Sequence, residues 1–289
     1  MSGKEPERVA GIIMVLTCKK YLETRVKELN LNSAEHELNS GWKTVFVYGD
    51  LSLEEEYKLE YDFNPTQYYT EEEFASIGSH LFLKIRCEDS YFHLFKKMTL
   101  AFKYLNEVYD IAEGILRLGD DVVLNNTTLS EFLEISKKPH YMGSNKFKTN
   151  YMPTNSDIFK RTVDDNFMVD YYKNNSADLE NPDHNLAGID FTKYIKHPYI
   201  PYLAGGVIVY YSKYASTILY KWMEYIQYDI LHLDEFSNSY PYIIEDIAVA
   251  YILYRNYIPL YYYPMYADSL NEYKTLPDCI GIHTNKYKL

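Results

Sequence analysis

Residues 115–123 have the sequence Ile-Leu-Arg-Leu-Gly-Asp-Asp-Val-Val, in which an apolar strand runs into two adjacent carboxylates, Asp120 and Asp121. Carboxylate oxygens are the ligands that Mg2+ and Mn2+ prefer, and such ions commonly lie between protein acids and the phosphates of a nucleotide. The sequence therefore predicts a metal site at the end of a buried strand. Adjacent side chains on a strand point to opposite faces, so the alternative interpretation is a strand-to-turn junction with solvated acids.

Strand-like and helix-like segments alternate on the N-terminal side of this pair of acids. Strands are predicted at 9–17, 44–48, 82–85 and 111–118, and helical stretches at 21–31, 54–60 and 91–108. Such alternation predicts an α/β fold of the Rossmann type, with a mostly parallel sheet flanked by helices. Ligands of these sheets bind beyond the carboxyl ends of the strands, and the two acids are predicted at such an end.

The second half of the chain opens with a long segment that lacks hydrophobic periodicity. From about residue 145 to 195 it is rich in Asn, Asp, Lys and Pro, which predicts a loop-rich insertion that could form a lid over the site. Beyond it, a strand is predicted at 202–211 and helices at 213–231 and 243–254. The length of 289 residues is compatible with a single domain, 1–289, which we favour.

Charge and cysteine content limit the classes of partner and compartment. The formal net charge of −12 argues against nucleic acid as the main partner, because binding to its backbone relies on clustered Lys and Arg. Cys18, Cys87 and Cys279 are too scattered for a disulfide framework or a zinc site, which favours a reducing, cytoplasmic compartment. The apolar run at 11–16 is too short for a signal sequence or a membrane span, so we expect no membrane anchor.

Six segments, taken in order, carry a family pattern along most of the chain. They are IIMVLT at 12–17 followed by Arg25, VFVYG at 45–49, EDSYFHLFKK at 88–97, RLGDDV at 117–122, YIPYLAGG at 199–206 and IEDIAVA at 244–250. They resemble the beta-1,3-galactosyltransferase and fringe family of nucleotide-sugar glycosyltransferases, which have the GT-A fold. Two positions depart from the family pattern: Gly119 replaces the first of three acids, and Ala250 stands where the family has glycine.

The resemblance implies a set of metal ligands. In the family the last acid of the motif coordinates the ion, a role that falls to Asp121 here. Asp120 would ligate the same ion or orient the nucleotide ribose, and His283 would be the third protein ligand. Neutral imidazole suits Mn2+ better than Mg2+, so Mn2+ is the expected ion and Mg2+ the alternative. A lone histidine near the C-terminus is otherwise ordinarily a surface residue.

The nucleotide itself is expected at the ends of the first strands. Thr17 and Asp50 lie where a base and ribose bind in such sheets, although helix-cap or turn roles are the alternative for both. Arg25 and Lys97 would offset phosphate charge, unless they are solvated side chains on helices. Because Gly119 has no side chain at the position that often contacts the ribose, we expect the nucleotide contact or preference to differ from that of the family.

The resemblance implies a catalytic base and an acceptor site in the second half of the chain. Asp246 is the implied base, and the alternative is that Glu245 and Asp246 merely complement a helix N-terminus. Tyr202, Gly205, Gly206 and Glu245 correspond to segments that border the acceptor site in the family. The two glycines would let the backbone approach a sugar closely, unless they form a bulge in a strand.

The resemblance implies a metal-dependent inverting glycosyltransferase. It would move a hexose or related sugar from a nucleoside diphosphate sugar, a UDP-sugar above all, to a hydroxyl of a glycan or glycoconjugate. Nucleotide binding is expected within about 9–125 and acceptor binding within about 126–289. The family's animal members are membrane-tethered, so a soluble chain suggests a microbe or a virus. One alternative is a catalytically silent nucleotide- or sugar-binding module. Another is a relationship with the Gly-Asp-Asp metal-binding hairpin of RNA polymerases, against which the acidic charge argues.

Overall fold

The computed structural model describes residues 5–61, 80–145, 147–151, 200–233, 242–276 and 278–284. Its strands are Glu7–Leu16 (β1), Trp42–Gly49 (β2), Tyr57–Tyr61 (β3), Leu81–Ile85 (β4), Tyr109–Gly119 (β5), Val122–Leu124 (β6), Tyr141–Gly143 (β7), Ile208–Ser212 (β8), Tyr261–Tyr262 (β9), Tyr266–Ala267 (β10) and Gly281–His283 (β11). Its helices are Ser33–Ser40 (α1), Leu94–Val108 (α2), Asn126–Leu133 (α3), Lys213–Tyr225 (α4), Glu245–Arg255 (α5) and Leu270–Tyr273 (α6).

The central feature is an eight-stranded sheet with the order β3-β4-β2-β1-β5-β8-β7-β9. Strands β4, β2, β1 and β5 are parallel to one another, as is the pair β7 and β9, whereas β3 pairs antiparallel with β4, and β8 with both β5 and β7. The predicted α/β class is thus confirmed, with the correction that the sheet is mixed and parallel mainly in its first half. Strands β1 and β5 end side by side next to Asp120, with Leu16 paired with Gly119.

Burial on both faces of the sheet explains why its inner strands are almost continuously apolar. Alternate residues of β1 point to opposite sides, so that Ile12 and Ile13 belong to different hydrophobic clusters. The first cluster includes side chains of α2, α4 and α5, among them Phe102. The second includes Trp42 and Phe132, the latter from α3. Helices therefore cover both faces, as predicted.

A second, three-stranded sheet has the order β10-β11-β6. Strand β6 begins immediately after Asp121, and β11 pairs antiparallel with it, with His283 opposite Val122. Strand β10 pairs parallel with β11. This small sheet brings the C-terminal part of the described chain back to the end of β5.

One predicted helix is a strand. Residues 54–60 were expected to be helical from their acidic composition, but β3 covers Tyr57–Tyr61 and pairs with β4. Tertiary contacts override the local preference here, because Glu60 forms ion pairs with Lys58 on its own strand and with Lys84 across the pair. Charged side chains on an edge strand also protect it from pairing with other chains.

Other boundaries differ from the predictions by less. The helical stretch expected at 21–31 is a short turn, Lys19–Tyr21, followed by Leu22–Val26 in a wider helical turn. The strand expected at 202–211 begins only at Ile208. The predicted insertion at 145–195 lies mostly outside the described residues, and the single-domain organisation stays a prediction. Among the described residues no helix has the length and apolarity needed to cross a membrane.

Candidate active site

Asp121 and His283 meet at the junction of the two sheets. The distance between Asp121 Oδ2 and His283 Nε2 is 3.3 Å. The backbone fixes this approach, because both the amide nitrogen and the hydroxyl of Thr284 donate to the carbonyl oxygen of Asp121, at 2.8 and 2.9 Å. The structure thus brings together two of the three predicted metal ligands, although they are distant in sequence.

A carboxylate lies on each side of the His283 ring. Nδ1 is 3.4 Å from Asp268 Oδ1, opposite the contact with Asp121. Hydrogen bonds to Asp121 and then Asp268 raise the pKa of His283 to about 9. Burial favours the neutral carboxyl of Asp121, but the hydrogen bond and charge of His283 outweigh burial and lower the pKa of Asp121. Asp268 was not predicted from sequence, since it follows a two-residue strand and belongs to no motif.

The pair formed by Asp121 and His283 has a spacing that fits a divalent cation. Two ligands that each lie about 2.1 Å from an ion, at a right angle, are about 3.0 Å apart, close to the observed 3.3 Å. Asp268 matches the outer carboxylate that commonly orients a metal-binding histidine. Within the described part of the chain, no group of three or more His, Cys, Asp or Glu side chains could hold an ion. Other ligands would have to come from bound molecules.

Asp120 contacts a different set of residues from those around Asp121. Its Oδ2 accepts a hydrogen bond from the hydroxyl of Thr17 at 2.7 Å, and its Oδ1 is 3.1 Å from Arg25. The Arg25 guanidinium also stacks on the ring of Tyr21, 3.7 Å from the centroid. All three predicted residues, Thr17, Arg25 and Asp120, are buried together at the end of β1. The structure does not bring Asp120 into contact with His283.

Lys97 and Asp50 occupy distinct environments beside this cluster. Lys97 is buried and donates to the carbonyl oxygen of Thr17 at 2.7 Å and to Asp89 at 2.6 Å, so it links α2 to the end of β1. Asp50 accepts hydrogen bonds from the hydroxyl and amide of Ser52, which lower its pKa, and it is 3.2 Å from Lys19. These contacts agree with the turn role that was the alternative for Asp50.

The acids Glu245 and Asp246 begin helix α5 and are close to Gly206. The backbone amide of Gly206 donates to Asp246. A Cβ at this glycine would lie 2.5 Å from Asp246 Oδ1 and 2.7 Å from Glu245 Oε2, so only glycine fits without displacing the acids. Burial and the neighbouring charge of Glu245 raise the pKa of Asp246 to about 7. A carboxylate with this pKa is well matched to accept a proton near neutral pH.

Arg117 of β5 lies between the two groups of acids. Its Nη2 is 3.0 Å from Glu245 Oε2, and both side chains are buried. Burial disfavours the charged guanidinium of Arg117. Its pKa is nevertheless raised, because electrostatic interactions favour the charged form and outweigh burial, namely those with Glu245, Tyr211, Asp246 and Asp121. Arg117 is the first residue of the RLGDDV motif, and the motif alone predicts no role for it.

The residues predicted to border the acceptor are only partly accessible. Tyr202 is buried and donates its hydroxyl hydrogen to the carbonyl oxygen of Ile258. A Cβ at Gly205 would collide with the hydroxyl of Tyr266, whose ring makes an edge contact with His283. Tyr266 therefore connects the Gly205 segment to the metal-ligand pair, a link that the sequence analysis missed.

Gly119 is explained by its distance to Asp121. A Cβ added at Gly119 would lie 2.7 Å from Asp121 Oδ1. A side chain at this position would push on the carboxylate that faces His283. The departure from the three-acid pattern thus leaves room around Asp121.

The chain is similar to one protein family and to solved structures of two glycosyltransferases. Residues 69–252, more than half of the chain, match the galactosyltransferase family. No curated protein matches the sequence. A solved structure of the galactosyltransferase LgtC, in complex with donor and acceptor sugar analogs, is similar over 95% of this chain and 87% of its own, at 10% identity and a TM-score of 0.42. The glycosyltransferase GlyE in Streptococcus pneumoniae TIGR4 is similar over 89% of this chain and 45% of its own, at 11% identity and a TM-score of 0.34.

Proposed function

The chain belongs to the galactosyltransferase family, and we propose that it transfers a hexose from a UDP-sugar to a hydroxyl of a glycan or glycoconjugate with inversion at the anomeric carbon. The observation that carries this proposal is the neighbourhood of Arg117. This one buried cation interacts with Asp246, whose pKa is about 7, and with Asp121, which contacts His283. This neighbourhood supports a proposed proton acceptor, Asp246, near a proposed pair of metal ligands, Asp121 and His283.

On the donor side, Asp121 and His283 would hold a divalent ion, with Mn2+ the expected species. When bound, the ion would offset the negative charge that builds up on the departing diphosphate. Diphosphate oxygens and water would supply the remaining ligands, since the protein contributes too few for a closed site. The cluster of Thr17, Arg25 and Asp120 is proposed to contact the nucleoside, with Asp120 as the ribose partner.

On the acceptor side, Asp246 is proposed as the general base. As the acceptor oxygen forms its bond to the anomeric carbon, its proton passes to the Asp246 carboxylate. The bond between the anomeric carbon and the diphosphate oxygen breaks, and its electron pair leaves with the diphosphate. One carboxylate opposite the leaving group supports a single displacement, which inverts the anomeric centre and needs no covalent enzyme intermediate.

A catalytically silent sugar-nucleotide-binding module is the second candidate. The absence of an acid at Gly119 favours it, because the family has three acids in this motif. Binding without turnover would be its signature.

Release of free nucleoside diphosphate distinguishes these functions. The wild-type protein, Asp246→Asn and Asp121→Ala would be incubated with a panel of UDP- and GDP-sugars, with and without Mn2+, and donor binding would be measured by calorimetry. We expect Mn2+-dependent release by the wild-type protein, donor binding without release by Asp246→Asn, and weakened Mn2+-dependent binding by Asp121→Ala. Binding without release by the wild type would support the silent module. Normal release by Asp246→Asn would remove that residue from the mechanism.

A further inference from the structure

The ion pair between Arg117 and Glu245 is unusual in its burial and in its incomplete hydrogen bonding. The side chains are 6% and 7% exposed, and 3.0 Å separates their nearest polar atoms. Arg117 Nε and Glu245 Oε1 are buried without a hydrogen-bond partner among the described residues. Removing two charges from water is costly, and an incompletely satisfied pair is weak support for stability. The pair therefore calls for an explanation other than stability.

The position of the pair suggests such an explanation. Arg117 lies on β5, the strand that leads into Asp121, and Glu245 directly precedes Asp246 at the start of α5. The Arg117–Glu245 contact thus joins the strand of the proposed metal ligand to the helix of the proposed base. Gly206 completes the arrangement, since a side chain at this position would collide with both acids of the helix.

We propose that Arg117 and Glu245 are positioning residues that fix where the Asp246 carboxylate lies and balance the charge around it. This inference rests on the proposed function of Asp246 and gives Glu245 a role other than the predicted contact with the acceptor. A buried, ion-paired Glu245 has little surface to offer a sugar. Its carboxylate instead faces Arg117, and holds the guanidinium beside α5.

Charge balance follows from the groups that face Asp246. Glu245 on the same helix raises the pKa of Asp246, while Arg117 and the Gly206 amide lower it. Among the described residues, the other titratable groups that interact with Asp246 are phenols whose own pKa values are raised by burial, so they stay neutral, namely Tyr141 of β7, Tyr211 of β8 and Tyr266 of β10. Burial also raises the pKa of Glu245, and the charge of Arg117 opposes this shift, so Arg117 and Glu245 together set the electrostatic environment of Asp246.

The variants Glu245→Gln and Arg117→Met/Glu245→Gln test this role. Glu245→Gln keeps an acceptor oxygen for Arg117 but removes the negative charge. The charge of Arg117 then lowers the pKa of Asp246 without the opposing effect of Glu245. The double variant removes both charges and replaces the pair with groups of similar volume. Glu113→Gln is the matched control, because Glu113 also lies on β5 and pairs with a buried lysine, Lys138, at 2.7 Å.

The titration of Asp246 would be followed in two ways. One is the pH dependence of UDP release from UDP-galactose with Mn2+, and the other is 13C NMR of aspartate carboxyl carbons, with the signal of Asp246 identified by its loss in Asp246→Asn. We expect Glu245→Gln to lower the midpoint of the Asp246 titration by about one pH unit or more. The double variant should raise this midpoint again, and Glu113→Gln should leave it unchanged. An unchanged or raised midpoint in Glu245→Gln would overturn the inference.

The NMR measurement separates this inference from the proposed function. If no sugar nucleotide is turned over but the Asp246 signal moves as expected, the pair sets the charge of Asp246 and the proposed function fails. If UDP release requires Asp246 but the midpoint of its titration is the same in both variants as in the wild type, the proposed function stands and the positioning role fails.

Discussion

The Nε2 atom of His283 lies 3.3 Å from Oδ2 of Asp121, across the antiparallel pairing of β11 with β6. The neighbouring Thr284 is tied to the backbone of Asp121 by two hydrogen bonds. Strand register therefore brings the backbones of Asp121 and His283 close together. If Asp121 and His283 hold a cation, as we propose, the backbone would bring them together before it binds.

Asp268→Asn is expected to weaken Mn2+ binding by about 10- to 100-fold, because partners that orient a histidine ligand have effects of this size. His283→Ala should weaken it further, since it removes a ligand. Calorimetric titration with Mn2+ would measure both. Asp110→Asn is a suitable control, because Asp110 is exposed and pairs with Lys213 on the surface. Equal affinity in Asp268→Asn and the wild type would contradict the role of Asp268.

The rate of sugar transfer is expected to rise with pH through about 7. Asp246 can accept a proton only when it is ionised, and burial with the charge of Glu245 raises its pKa to about 7. Activity should thus be low at pH 5 and reach a plateau above about pH 8. Initial rates of UDP release at saturating donor would show the profile. A rate independent of pH between 5 and 8 would exclude this carboxyl as the base.

Asp246→Asn is expected to stabilise the protein at pH 8. The pKa of Asp246 is higher in the folded state than in the unfolded state. The free energy of unfolding therefore falls as the pH rises from the unfolded-state pKa to the folded-state pKa. The amide avoids this cost, so the free energy of unfolding at pH 8 should rise by at least about 1 kcal/mol. At pH 4 the difference should nearly vanish. Urea unfolding at both pH values is the measurement, and a destabilised variant at pH 8 would contradict it.

Arg117→Met is expected to destabilise the fold by about 3–5 kcal/mol, because it leaves Glu245 buried without its partner. The double variant Arg117→Met/Glu245→Gln should recover most of this loss, since no uncompensated charge remains. Chemical denaturation of both variants would compare their free energies of unfolding. Similar losses in the single and double variants would mean that Arg117 acts mainly through packing.

Gly206→Ala is expected to reduce transfer by about 100-fold, because displacing a reacting group by about 1 Å can have an effect of this size. The added methyl group would lie 2.5 Å from Asp246 Oδ1, so the carboxylate must move. Donor and Mn2+ binding should remain close to those of the wild type, since Asp121 and His283 are not contacted. Loss of donor binding together with activity would point to a wider disturbance.

Local motifs made part of this molecule predictable. The apolar run before Asp120, the alternation of strands and helices, and the family resemblance, which the match of residues 69–252 confirms, all depend on residues close together in sequence. The same motifs identified Asp121 and Asp246 as candidates. His283 was reached only through the resemblance, because its contact with Asp121 depends on strand pairing.

Contacts between distant segments explain what was missed. Nothing in the spacing of Arg117 and Glu245 indicates that they meet, and Asp268 becomes notable only when β10 and β11 are paired. Residues 54–60 were misassigned because the ion pair of Glu60 with Lys84 belongs to the sheet and not to the local sequence. The ion pair between Lys97 and Asp89 likewise depends on how α2 packs, and so it could not be predicted from the local sequence.

The order of elements along the chain has a consequence for biosynthesis. All eight strands of the large sheet precede β11, so a chain emerging from the ribosome contains them before His283 is made. A product truncated before β11 would contain every strand of the large sheet but would lack His283. If Asp121 and His283 hold the cation of the donor, as we propose, such a product would keep the large sheet yet be inert towards sugar nucleotides.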